Sequence, residues 1–392
     1  MSSLYILGRQ PEIGIAELES LLGANNIKPI GTHAVLSSQD ANHIPFSRLG
    51  GCVKVCKLLT QLPYTDWNKL ITYLFSAAPQ FLNYLPEGKL NLGISAYGFD
   101  VSPAKINASA LQLKKIIKNA GKSVRIVPNV KNELNSAQVI HNKLTSKNGW
   151  ELVLIKDKNQ TILAQTVHVQ DIEAYAARDQ KRPKRDARVG MLPPKLAQII
   201  VNMASTGNNR FGATVLDPFC GTGVVLQEAA IMGFSVYGTD IEPRMIEFST
   251  ENLNWLDETH EIGNFEWFVE EGDAMQVKWS RNFDFVAGET YLGRPLNSLP
   301  DEKTLQKIVS DCDHIHKRFL ENIAKQIKPG VRLCLAVPAW KTNKGYTHLN
   351  VLDYLEKLGY TRQSFVHADS SRLIYHREGQ TVGRELVVLT RK

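Results

Sequence analysis

The sequence predicts an α/β chain: a C-terminal doubly wound sheet, mostly parallel and finished by an antiparallel hairpin, preceded by smaller α+β domains. Three patterns predict it. From about residue 191, strand-like and helix-like segments alternate, the order that places helices on both faces of a parallel sheet. The final stretch, RLIYHREGQTVGRELVVLT, instead reads as two strands around a short glycine-containing turn at a sheet edge. The first 170 residues mix short strands and helices without that alternation.

In chain order, LYILG suits a strand, 11–22 a helix, and GGCVKVCKLLTQL, with its alternating apolar residues, another strand; these delimit a small domain over 1–60. A second domain, 61–170, begins with the helical pattern KLITYLFSAAPQFL. It continues through a strand LNLGISAY, a helix SALQLKKIIKNAG closed by Gly121, and a strand SVRIVP. A helix near 136–144 then precedes the strands WELVLIKD and TILAQTVHV, joined by a Lys-Asn turn. Residues 171–190 are polar, basic and proline-containing, and read as a linker. The last domain, 191–392, runs ATVLDPF, helix, FSVYGTD, helix, FEWFVEEGD, DFVAGET, a long helix over 303–327, VRLCLAVP and a helix in LNVLDYLEKLG before the hairpin.

Composition narrows the function classes. The chain has 392 residues, 43% hydrophobic and 22% charged, a globular balance that suits two or three domains. No apolar run approaches the roughly 20 residues that span a bilayer. The start, MSSLYILGRQPEIG, lacks a basic segment leading into an apolar one, so the expected location is the cytoplasm. Five scattered cysteines without a C-x-x-C pair predict buried thiols and no metal site. His314 and His316 share a predicted exposed helix but not a face, which also argues against a metal.

The net charge of +7 is unevenly spread: from 101 to 150 there are nine basic residues against Glu133 alone. Such a surface attracts a phosphate backbone without reading its sequence, and it equally suits a solvated helix face. Lys114, Lys115, Lys118, Lys122 and Arg125 are therefore candidate RNA contacts. Arg182 and Arg185, from the linker run KRPKRDAR, join them.

The most specific chemistry follows the first strand of the last domain. DPFCGTGVVL puts Asp217 at a strand end, Gly221 and Gly223 in the turn and an apolar helix behind, so open amides face an anionic group. The third small residue of the dinucleotide fingerprint is missing, which disfavours a nicotinamide or flavin. An acidic residue directly before the turn fits a cation better than a pyrophosphate, and S-adenosylmethionine carries an ammonium and a sulfonium. Asp240, nineteen residues after Gly221, ends the next strand where a carboxylate can accept from two ribose hydroxyls. Asp273, after the third strand, is in reach of an adenine amine. A lone strand-end Asp caps a helix more often than it binds a ligand; three in succession beside a Gly-x-Gly turn describe a nucleoside pocket.

The runs KRPKRDARVGMLPPKLAQIIVNMA and VLDPFCGTGVVLQEAAIMGFSVYGTDIEPRMIEFSTENLNW resemble the THUMP-containing tRNA guanine-N2 methyltransferases. The similarity is close over about 165–295 and looser over 61–170, the part that resembles THUMP. It implies a methyltransferase sheet that binds S-adenosylmethionine, and N-terminal domains that dock tRNA. The family's L-x-PKLA helix is matched by Leu192, Pro194, Lys195, Leu196 and Ala197, which implies that Lys195 helps enclose the methionine end. DPFCGTG matches the family's form of the turn, Pro218, Phe219 and Cys220 included.

The acceptor side departs from the family. Its amino methyltransferases carry Asp-Pro-Pro-Tyr after the fourth strand, where a carboxylate and a proline carbonyl accept the hydrogens of an exocyclic amine and a tyrosine stacks on the base. Here the strand gives Glu289, Thr290, Tyr291, Leu292 and Gly293. Two readings stay open. Either Glu289, the Thr290 carbonyl and Tyr291 form a remodelled amine site, or the domain binds the cofactor and modifies another atom or nothing. Amino methylation of DNA is a further alternative. In the C-terminal hairpin, Tyr375, Arg377, Gln380 and Arg384 suit either the border of a substrate groove or a solvated edge.

Overall fold

A computed structural model describes residues 2–186, 191–205, 212–260, 265–296 and 298–392. Arg188 of the linker run lies outside the described residues. The chain divides into two compact units: 1–11, 22–47 and 52–172, and then 12–21, 48–51 and 173–392.

The first unit is built on one eight-stranded sheet. Its strands are β1 (Ser3–Leu7), β2 (Ile27–Ile30), β3 (Ala34–Ser37), β4 (Cys52–Leu62), β5 (Leu90–Tyr97), β6 (Val124–Ile126), β7 (Gly149–Asp157) and β8 (Gln160–Val169), in the order β2-β3-β1-β4-β8-β7-β5-β6. The boundary anticipated at residue 60 falls inside β4. That strand pairs with β1 on one side and β8 on the other, so both expected small domains share a single sheet. The physical reason is its length. Eleven residues leave its two halves available to different neighbours, and the Val55/Cys56 and Leu58/Thr60 irregularities let it follow both. Helices α2 (Trp67–Ala77), α3 (Pro103–Asn119) and α4 (Ser136–His141) accompany the sheet. Asp66, Ser102 and Asn135 cap them by accepting from amides three residues on. Ile106, Ala110, Leu113 and Ile117 turn inward from α3 at helical spacing, joining a core with Leu92, Ile94 and Leu154.

Most of α1 (Pro11–Leu22) belongs to the second unit. There the buried Glu17 accepts from the Gly50 and Gly51 amides at 3.0 and 2.8 Å and from Asn202 Nδ2 at 2.7 Å. Burial outweighs these donors and the nearby Arg48, and pushes the carboxyl up to about 7.

The sheet of this unit has nine strands: β9 (Thr214–Asp217), β10 (Ser235–Asp240), β11 (Trp267–Glu271), β12 (Phe285–Glu289), β13 (Arg332–Thr342), β14 (Gly345–Thr347), β15 (Tyr360–Arg362), β16 (Ile374–Tyr375) and β17 (Val382–Arg391). The order is β11-β10-β9-β12-β13-β17-β15, with β14 on β13 and β16 on β17. The first five are parallel, as the alternation predicts, and β17 runs antiparallel to β13. The expected edge hairpin is corrected in one respect. β17 lies inside the sheet because its nine register pairs are with β13, while β16 contributes only two. Helices α5 (Ile172–Gln180), α6 (Pro194–Ala204), α7 (Val224–Ile231), α8 (Pro243–Thr259) and α9 (Glu302–Ile323) complete the unit.

The helix expected in LNVLDYLEKLG is two 3-10 turns, 350–353 and 355–358. Asp313 on α9 captures the Val351 amide at 2.6 Å and the Tyr354 hydroxyl at 3.3 Å, and Tyr354 leaves helical geometry at φ −132°. All five cysteines are buried free thiols, and no helix among the described residues is long and apolar enough to cross a membrane.

Candidate functional site

The parallel strands β9, β10 and β12 deliver their C-terminal residues, Asp217, Asp240 and Glu289, to one end of the sheet, where open α/β sheets bind ligands. After β9 the chain turns through Pro218 to Gly223. Gly221 and Gly223 hold φ of 53° and 78°, a left-handed region that side chains other than glycine's resist. Gly223 leads directly into α7, and a side-chain carbon there would come within 3.1 Å of Ser249 Oγ. The turn is braced from α8. Ser249 donates to the Gly221 carbonyl at 2.7 Å, and Asn252 Nδ2 donates to the Thr222 carbonyl at 2.8 Å and the Lys184 carbonyl at 2.9 Å. Sequence reasoning missed Asn252, which ties the linker to the turn.

Asp217 is 1% exposed, and its Oδ1 accepts from the Phe219 amide at 3.1 Å. Gly288 on β12 makes room for it: a side-chain carbon there would stand 2.4 Å from that oxygen. Burial holds the carboxyl well above the usual range, and the negative charges of Asp240 and Glu289 add to this. Asp240 accepts from the Gly221 amide at 2.9 Å and the Glu242 amide at 3.0 Å, and burial raises it too. Among the described residues neither acid has an ion-pair partner, and no cluster of three or more metal-ligating groups occurs. One buried and one half-buried acid with no cationic side chain paired to them suit a cationic ligand. Together with the left-handed glycines and the open helix N-terminus, the donor set fits S-adenosylmethionine.

Other cofactor-side expectations divide. Asp273 spends its Oδ1 on the Met275 amide at 2.9 Å and its Oδ2 on Gln276 at 3.2 Å, so it also caps its own turn. Phe219 packs edge-on to Phe319 at 5.1 Å, and the buried Cys220 thiol, raised by burial, lies 3.7 Å from Ser249. Lys195 sits in the first turn of α6, half-buried, its ammonium 5.2 Å over the Tyr175 ring, and burial lowers its pKa.

At the end of β12 Glu289 forms an ion pair with Arg384 of β17, the side chains being 17% and 4% exposed. Burial raises the Glu289 carboxyl and Arg384 opposes that. Thr290 is 3% exposed; its amide donates to the Ala336 carbonyl at 3.0 Å and its hydroxyl lies 2.6 Å from His316 Nε2. His316 is thus buried, not exposed as its helix position suggested, because the α9 face bearing Val309, Cys312 and Phe319 also carries it. Its Nδ1 faces the Cys312 carbonyl at 2.7 Å and must bear the proton, so Nε2 accepts from Thr290. Burial lowers its pKa to about 4, keeping it neutral. Tyr291 is 40% exposed, its ring open to a partner. The Glu289–Arg384 pairing went unread because 95 residues separate its members.

Of the candidate RNA contacts, Lys115, Lys118 and Arg125 are exposed, while Lys114 and Lys122 are half-buried, Lys122 donating to the Pro86 carbonyl at 2.5 Å. Arg185 is exposed. Arg182 is corrected: it is 3% exposed and folded against Met191 with its pKa lowered by burial, so its guanidinium is not at the surface to meet a phosphate.

With this geometry in hand, comparison with known proteins is specific. Residues 210–370 match the model of a methyltransferase domain, and residues 111–251 that of a DNA methylase family. The methyltransferase match lies within the second unit. The tRNA (guanine(10)-N2)-dimethyltransferase of Methanothermobacter thermautotrophicus is 30% identical over 200 residues, 50% of this chain and 53% of that protein. The enzyme of the same name from Pyrococcus abyssi is 30% identical over 193 residues, 48% and 50% of the two chains. The chain thus spans about half the length of the curated relatives it matches. Among solved structures, TrmN from Thermus thermophilus aligns over 100% of both chains with a TM-score of 0.50 at 14% identity, a likeness of fold.

Proposed function

We propose that this protein transfers a methyl group from S-adenosylmethionine to an exocyclic amine of RNA, with a guanine amine of tRNA as the target. The observation that carries this reading is the pair of acids without an ion-pair partner, the buried Asp217 and the half-buried Asp240, at the glycine turn of a segment that matches a methyltransferase domain. The relatives named as tRNA guanine-N2 dimethyltransferases supply the substrate class.

When bound, S-adenosylmethionine supplies a methyl on a sulfonium, already a good leaving arrangement, so the chain's task is placement and electrostatics. Asp217 and Asp240 offset positive charge, and the amides at the start of α7 hold a carboxylate. Asp240 retains lone pairs for ribose hydroxyls and Asp273 faces the adenine side; Lys195 with the first turn of α6 encloses the methionine end. Glu289, with one oxygen on Arg384, accepts an amine hydrogen through the other, the Thr290 carbonyl accepts the second, and the Tyr291 ring stacks on the base. The first unit, a THUMP-like RNA-binding region with Lys115, Lys118 and Arg125 on its surface, grips the RNA backbone in the cytoplasm.

The test is nucleoside mass spectrometry of tRNA from cells with and without the gene, joined to calorimetry with S-adenosylmethionine. Loss of a methylated guanosine and a binding isotherm abolished in Asp217→Ala are expected. Unchanged nucleosides with no cofactor binding would sink the proposal. The DNA methylase match keeps amino methylation of DNA as a second reading. Methyl incorporation into duplex DNA in preference to tRNA at equal salt would favour it.

A further inference from the structure

In a parallel ladder each residue facing its neighbour donates its amide to one carbonyl and offers its own carbonyl to the next amide along. Glu289 is the register partner of Ala336, and the Thr290 amide donates to the Ala336 carbonyl. The next rung would run from the amide of residue 338 to the Thr290 carbonyl. Residue 338 is proline, buried within an interior strand, and has no N–H to give. Among the described residues nothing donates to the Thr290 carbonyl, although Thr290 is 3% exposed. Proline is confined in sheets to edges and bulges because it breaks such a ladder, and an unpartnered carbonyl costs free energy. A fold with no other use for this position would avoid both.

The antiparallel partner of Pro338 is Arg384. Its guanidinium reaches past β13 to Glu289, while its neighbour Glu385 turns to the opposite face to meet His348 at 2.5 Å and Arg362 at 2.7 Å. We infer that the cross-strand pair Pro338 and Arg384 are positioning residues for the acceptor site: Pro338 keeps the Thr290 carbonyl out of the ladder, and Arg384 holds the Glu289 carboxylate beside it. This rests on the reading of Glu289 and Thr290 as acceptors of the two amine hydrogens. One strand pair thereby replaces the two prolines that ETYLG lacks.

Pro338→Ala restores the missing N–H. The expected result is about a tenfold fall in kcat for methyl transfer to unmodified tRNA, with KM for tRNA and Kd for S-adenosylmethionine within about twofold of wild type. By NMR with isotope-labelled alanine, the new amide at position 338 should exchange slowly with solvent because it has captured the Thr290 carbonyl. In parallel, Arg384→Gln should lower kcat and move the rising limb of the pH profile upward, and Arg384→Lys should recover part of both. A freely exchanging amide at position 338 overturns the role of Pro338, as does a protected amide with wild-type kcat. If wild-type protein methylates no tRNA, the acceptor reading itself falls; the amide-exchange measurement, which needs no activity, still decides the ladder.

Discussion

The buried ion pair Lys54–Glu151 of the first unit and the pair Glu289–Arg384 of the second are built differently. In the first, Lys54 and Glu151 are 2% and 0% exposed and every polar atom has a partner. Lys54 donates to Glu151 and to the Leu134 carbonyl at 2.7 Å, Ser95 donates to Glu151 Oε1 at 2.6 Å, and Thr166 to its Oε2 at 2.6 Å. In the second, Glu289 gives one oxygen to Arg384, keeps 17% of its side chain exposed, and has its pKa raised by burial. A saturated pair has no capacity left for a ligand and serves to hold β4, β5, β7 and β8 together. An unsaturated pair at a strand end retains an acceptor for a substrate. Burial alone therefore does not separate the two acids; the unspent lone pairs of Glu289 do.

The largest expected effect tests the saturated pair. Lys54→Met leaves Glu151 buried without its cation and should cost about 3–5 kcal/mol of stability in denaturant unfolding, much of it recovered in the double variant Lys54→Met/Glu151→Leu. Activity falling while stability stays unchanged would reverse the distinction.

Next comes Glu17, an acid saturated by amides rather than by a cation. Its folded pKa lies above the unfolded value, so the unfolded chain ionises first and stability should decline as pH rises from about 4.5 to about 7. The decline attributable to it is about 3 kcal/mol, and Glu17→Gln should flatten that part of the curve. Parallel wild-type and variant curves would show that the amides hold the carboxylate ionised.

For the unsaturated pair, Glu289→Gln keeps the shape and removes the charge. Methyl transfer should fall about 100-fold, with cofactor affinity within about twofold and a stability cost below that of Lys54→Met. A loss confined to stability would make Glu289 a second structural acid. The smallest expected effect belongs to Asp217→Asn, which should weaken S-adenosylmethionine binding about tenfold by calorimetry, about 1.4 kcal/mol. The variant should be no less stable than wild type at neutral pH, since its folded-state carboxyl is disfavoured when charged.

How legible these features were in sequence followed the range of the interactions. The β9 turn was readable because a strand end, two glycines and a helix start fall within ten consecutive residues, and local geometry dictates what they present. The position of Asp240 was readable for the same reason, as the end of β10, whereas Asp273 lies two residues past β11 and caps its own turn. The 3-10 turns at 350–358 were not, because their helical pattern is overridden by Asp313 on another element. Arg182 looked like a solvated charge, since composition carries no signal for the packing that buries it.

The sequence by itself determined the alternating sheet, the glycine turn after β9 and the acidic strand end ETYLG, because periodicity and turn chemistry act over a few residues. Only the tertiary structure decided what surrounds that strand end. Glu289 meets Arg384 across 95 residues, Thr290 meets His316 across 26, and the carbonyl of Thr290 is left open by a proline two strand positions past its ladder partner. Those relations depend on strand order and register, which long-range packing selects and no local pattern encodes.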